Sequence, residues 1–151
     1  MQQTHSTQVT LYTALTFAGA IPFVGAVILL MMGRFELPYL GTISMALASY
    51  GLAIVTFVAG SQWGLYKLSK QRPLPNFFIL SNGITVTAIS GFILLPTAYF
   101  LLVLVVLYLM LLWLEKDFYR VGVISLHYLT VRVLVTALVV CSLLLSVMMV
   151  M

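Results

Sequence analysis

Among its 151 residues the chain has only seven Lys or Arg and three Asp or Glu, and it is 63% hydrophobic, with a mean hydropathy of +1.17. Soluble domains carry about 25% charged residues. The 7% found here excludes a water-facing surface and indicates an all-α polytopic membrane protein, one bundle with room for roughly five spans of about 20 residues each. A net charge of +4 without a basic run or an aromatic-interleaved basic face argues against a nucleic-acid partner, and a lone cysteine, Cys141, excludes an intrachain disulfide or a multi-cysteine metal site.

In chain order, Met1 to Val9 reads as a short polar tail without Lys or Arg, unlike a secretory signal or an organellar presequence. The single domain is expected to span the membrane at about residues 10–32, 39–63, 77–95, 97–114 and 129–151. Pro22 should bend the first span, because proline removes a backbone hydrogen bond and crowds the preceding turn. Gly33 to Pro38 reads as a tight polar turn in which Arg34 and Glu36 can satisfy each other. The second span carries Gly41, Ser44, Ala48 and Gly51 on one stripe, and Gly60 and Gly64 add a GxxxG spacing. Gly51, Gly60 and Gly64 are therefore helix-packing candidates, within the bundle or at a dimer seam.

Beyond the basic segment of Lys67, Lys70 and Arg72, Pro73 and Pro75 delay the next helix and Asn76 offers an N-cap. Phe77 to Leu114 is too long for one span, since about 38 residues would reach ~57 Å across a core of about 30 Å. The corner falls at Pro96. The half before it contains Ser81, Asn82, Thr85, Thr87 and Ser90, which suggests an interior helix; the half after it is nearly all Leu and Val, which suggests wide lipid contact, with Leu104 facing lipid. Glu115 to His127 reads as a loop before the last span.

Lys67, Lys70, Arg72, Lys116, Arg120 and Arg132 fall at one end of this arrangement and Arg34 alone at the other, so the positive-inside rule places the N-terminus in the cytoplasm and the C-terminus outside. Trp63, Tyr66, Trp113 and Tyr119 lie near the basic interface, where amphipathic rings favour the headgroup zone. Tyr50, Ile54, Phe57, Gly60, Trp63 and Gly64, in the pattern Y-x3-I-x2-F-x2-G-x2-W-G, resemble a family of uncharacterised small bacterial membrane proteins related to animal mitochondrial transmembrane protein 69. Tyr128, Arg132 and Thr136 resemble the same family's Y-x3-R-x3-T, with Asp117 upstream. The chain differs from that pattern at Ala59, Gln62 and His127, and at Ile84 and Ile89 after Ser81. The resemblance implies a fold and a bacterial cytoplasmic membrane, and no reaction.

No phosphate loop, HExxH or nucleophile elbow is present, so neither a catalytic residue nor a metal site is assigned, and no cofactor is expected. Glu115, Asp117 and His127 lack ligand spacing and read as solvated loop residues. One constellation gathers toward the basic end: Gln62, Trp63, Ser81, Asn82, Asp117, His127, Tyr128 and Arg132. A charge within a span needs a partner. Arg132 is expected to meet Asp117, Gln62, Ser81 or Asn82, either as a structural cluster or as a polar pocket for an anionic lipid headgroup or a quinone head, the alternative being an arginine that simply snorkels to the interface. The sequence therefore leaves two functions open: a non-catalytic accessory or assembly module among other membrane subunits or copies of itself, or a small lipid- or quinone-binding or transport protein. In either case membrane lipids are its surroundings.

Overall fold

The computed structural model describes residues 2–39, 41–69 and 77–151, and within these the side chains of all but residues 2–9 and Leu68. It is a helical bundle with, among the described residues, five helices long and apolar enough to cross a membrane. Lys70, Arg72, Pro73, Pro75 and the expected cap Asn76 lie outside the described residues.

The first span is two helices, α1 (Gln2–Ala18) and α2 (Ile21–Met31). Pro22 occupies the first turn of α2, and the break falls just before it, at Gly19 and Ala20. There the ladder tightens, with the Ala20 N–H donating to the Phe17 carbonyl at 2.9 Å. The stretch expected as a polar tail is helical from Gln2. The polar turn is instead a short hairpin of β1 (Glu36–Leu37) and β2 (Gly41–Thr42), paired antiparallel with Glu36 opposite Thr42. Thr42 then caps α3 (Ile43–Leu68), its hydroxyl accepting from the Met45 N–H at 3.3 Å.

Pro96 forms the corner between α4 (Phe77–Leu94) and α5 (Thr97–Arg120). α5 runs well past Leu114, so Glu115, Asp117 and Arg120 are helical rather than loop residues. It ends at Gly122, whose φ of 74° turns the chain out of the helix. Ser125 then caps α6 (Leu126–Val150) by accepting from the Tyr128 N–H at 3.2 Å.

The interior belongs to α5, which packs against α3, α4 and α6. Phe100, Leu104, Leu107, Leu111, Leu114 and Phe118 repeat at helical spacing and are all buried, so the expectation that Leu104 faces lipid is wrong, whereas the wide lipid contact expected of this helix is confined to the opposite face, where Leu102, Val106, Leu109 and Trp113 are exposed. The more polar α4 is peripheral, correcting the interior place expected for it; one stripe of Phe77, Ser81, Ile84, Ala88 and Gly91 is buried, while Asn82, Thr87 and Ser90 are exposed. Gly51 performs the close packing expected of it: a Cβ there would stand 2.6 Å from a Leu104 methyl. Gly60 and Gly64 do not, since an added Cβ at either meets nothing within 4 Å among the described residues.

Candidate binding site

Glu115 shares the buried stripe of α5 with Leu111 and Phe118, and the helix's continuation to Arg120 carries it inward. It is 1% exposed. Opposite it, Arg132 projects from the first third of α6 and donates through Nε to both carboxylate oxygens, at 2.9 and 2.8 Å. Taking two charges out of water costs several kcal/mol each, and in hydrocarbon only a close partner offsets that cost. The pair therefore fixes α5 and α6 to each other at this level.

Gln62, fully buried on α3, stands behind the pair. Its Nε2 reaches the Leu111 carbonyl at 3.4 Å, and its carboxamide is also within hydrogen-bonding range of Glu115. Its Oε1 has no partner among the described residues. From α1, Tyr12 stacks on Tyr128 with ring centroids 4.9 Å apart and planes at 14°, and Thr13 shares a hydrogen bond of 3.1 Å with His127. The buried Tyr12 hydroxyl makes no hydrogen bond of good geometry among the described residues.

Of these side chains, Tyr12, Glu115, Tyr128 and Arg132 close the polar end of a cleft of about 410 Å³. The cleft exists because α1 leans on α6, while α2, beyond the Gly19 break, packs on both α3 and α6. Leu15, Phe23, Ile54, Val58, Val135 and Val139 form apolar walls, and Tyr12, Ser61, Glu115, Tyr128 and Arg132 line it as well. Its rim includes Leu15 and Phe57, 63% and 72% exposed, so the mouth opens sideways toward lipid. Deeper in, Tyr108 donates to the Gly51 carbonyl at 3.2 Å and Tyr50 to the Gly19 carbonyl at 3.0 Å, bracing the walls.

Of the residues the sequence singled out, Gln62, Tyr128 and Arg132 come together here. The others do not. Asp117 pairs with Arg120 at 3.3 Å rather than with Arg132. Ser81 donates to the Ala59 carbonyl at 2.6 Å, holding α4 on α3. Asn82 is exposed and donates to its own helix at Phe78, and Trp63 lies edge-on to Phe78, on the outside. None of the four partners expected for Arg132 hydrogen-bonds to it among the described residues; Glu115 does. Sequence reasoning missed Glu115, Tyr12 and Tyr108. For Glu115 a signal was present, because it continues the buried spacing of Leu101, Leu104, Tyr108 and Leu111 by one further step.

Chemically, the floor is a neutralised ion pair with donors to spare. A guanidinium has five N–H groups, and the bonds to Glu115 all use Nε. Among the described residues no group of three or more His, Cys, Asp or Glu is arranged to hold a metal ion. Residues 9–148 match the sequence profile of a family described as a protein of unknown function, DUF3429. No curated protein and no solved structure matches the chain.

Proposed function

We propose that this chain, which belongs to the family of unknown function DUF3429, is a membrane-embedded binding protein that admits a lipid-soluble molecule with an uncharged, carbonyl-bearing head, of which an isoprenoid quinone is the type. The observation that carries the reading is the Arg132–Glu115 pair on the floor of a cleft open to lipid. With Glu115 already balancing Arg132, a phosphate or carboxylate entering the cleft would leave one excess negative charge buried, at a cost of several kcal/mol. A carbonyl needs only donors, and the remaining guanidinium N–H groups and the Tyr12 hydroxyl supply them.

Depth supports the same choice. At ~1.5 Å per residue, Arg132 lies about 9 Å along α6 from Leu126, beneath the plane where phospholipid phosphates sit. A volume of about 410 Å³ falls in the usual range of roughly 300–1,000 Å³ for small-molecule sites. It takes a ring and the start of a tail, and the rest of a long tail would leave through the mouth past Leu15 and Phe57.

Kinship with mitochondrial transmembrane protein 69, residence in a bacterial cytoplasmic membrane, and a cytoplasmic N-terminus belong to this reading too; Lys67, Lys116 and Arg120 at one end against Arg34 at the other support the orientation. A second reading, an accessory module of a larger complex, draws on the smooth, exposed Gly60 and Gly64 surface of α3. Native mass spectrometry after gentle detergent extraction, followed by solvent extraction and ultraviolet spectroscopy, separates the two. A quinone retained by the wild type and lost from a folded Glu115→Gln/Arg132→Gln variant supports the binding protein. Wild-type protein that is folded but carries only phospholipid refutes it, and a stoichiometric protein partner in place of a ligand supports the module.

A further inference from the structure

We propose that the outer groove between α5 and α6, on a different face from the cleft, binds one anionic phospholipid. The groove has a volume of about 510 Å³. Lys116 and Arg120, one helical turn apart on α5 and therefore on one face, stand at its upper end, and both are exposed. Asp117 holds Arg120 from the side at 3.3 Å. Two cations against one carboxylate leave the upper end positive, the opposite of the neutralised pair inside the bundle. Trp113 and Tyr119 flank the cations with rings half open to the surroundings, the placement that amphipathic aromatics take at the headgroup level.

Below this level the groove becomes hydrocarbon-like, its lower part lined by Leu109, Leu129 and Val133. From Leu109 to Arg120 the helix rises about 16 Å, close to the half-thickness of a core of about 30 Å. The groove therefore runs from the headgroup plane to near mid-bilayer, the reach of one leaflet. A phosphate at Lys116 and Arg120 would leave an acyl chain lying along Leu109 and Val133. A zwitterionic headgroup adds its own cation beside these two and gains less, so charge selects the anionic lipid over phosphatidylcholine.

The test uses full-length protein in nanodiscs of phosphatidylcholine containing a minor fraction of phosphatidylglycerol, released for native mass spectrometry. Wild type is expected to retain phosphatidylglycerol in preference to phosphatidylcholine. Each cation contributes about 1 kcal/mol near an anionic surface, roughly a fivefold change in affinity. Lys116→Gln/Arg120→Gln should therefore lose most of the preference, Lys116→Arg should keep it, and Lys67→Gln, at the same end but outside the groove, should leave it unchanged. Equal retention of the two lipids by wild type, or a preference that survives the double substitution or falls as far with Lys67→Gln, overturns the proposal. The thermal midpoint of each variant shows that it is folded, and none of these exposed changes touches the cleft, so the quinone reading stands or falls separately.

Discussion

α4 and α5 are joined at Pro96 and cross the same membrane, yet their side chains and their positions are matched in reverse. α4 carries Asn82, Thr85, Thr87 and Ser90 and lies at the edge of the bundle; α5 is almost wholly Leu, Val and aromatic through its first four turns and lies at the centre. In water this pairing would be inverted, because the hydrophobic effect drives apolar surface inward. In a bilayer lipid tails are as apolar as Leu, and association is driven by packing and hydrogen bonds. Burial in this protein follows shape: large side chains of α5 fit against Gly51 of α3 and Gly91 of α4. The hydroxyls on the exposed face of α4 need no water, since each can bond back to its own helix, as the partly buried Thr85 does to the Ser81 carbonyl at 3.3 Å.

The comparison is tested most strongly at Glu115, the charge that α5 buries. Arg132→Leu leaves the Glu115 carboxylate unpaired in the centre of the bundle and is expected to cost about 3–5 kcal/mol, as removing one partner of a buried pair does. The double variant Glu115→Leu/Arg132→Leu should recover most of that loss in a reversible unfolding assay in mixed micelles. Asp117→Leu, breaking the pair with the exposed Arg120 side chain, should change stability by less than about 1 kcal/mol. If Asp117→Leu proved as costly as Arg132→Leu, the assignment of Arg132's partner would be wrong.

Much of the architecture was legible in the residues, and for identifiable reasons. Runs of apolar residues measured against bilayer thickness yield the spans, and Pro22 and Pro96 mark a break and a corner because each lacks an N–H. The faces were not legible. A sequence of Leu and Val has no apolar stripe to distinguish an inner from an outer side, and the burial of Leu104 depends on Gly51 lying opposite. Glu115 was lost for a related reason: Glu-Lys-Asp after a Leu run looks like the point where a chain enters water, and only the helix's continuation to Arg120 turns that carboxylate inward. Tyr12 could not be found from α1 alone, because its role depends on the ring of Tyr128 far along the chain.

A smaller effect is expected from packing without charge. Leu104→Ala empties space at the contact of α5 with Gly51, and such deletions cost about 2–5 kcal/mol in soluble cores. About 2 kcal/mol is expected here, since the transfer term is reduced when the unfolded helices remain in lipid. Val86→Ala on the outer face of α4, where the side chain is 63% exposed, should fall within about 0.5 kcal/mol of wild type. Comparable losses from the two would mean that α4 is covered in the native membrane.

The least perturbing change should be Gly60→Leu, although the GxxxG spacing marks Gly60 as a packing residue as strongly as Gly51. Gly51 has no room: a Cβ there meets Leu104 at 2.6 Å and Phe23 at 3.7 Å, so Gly51→Leu forces α3 and α5 apart, at a cost of about 1–3 kcal/mol or more. At Gly60 and Gly64 the same added atom meets open space, and a Leu there should project outward into the acyl chains and change the unfolding free energy of the isolated protein by less than about 0.5 kcal/mol. The two substitutions separate fold from association, because one motif has its partner inside the bundle and the other has none among the described residues. A Gly60→Leu variant with wild-type stability but a smaller mass in native detergent complexes would assign the Gly60 and Gly64 surface to an interface with another chain. One with both stability and mass unchanged would leave that surface to lipid, whereas a loss of stability matching Gly51→Leu would show that α3 packs within the bundle through Gly60 as well.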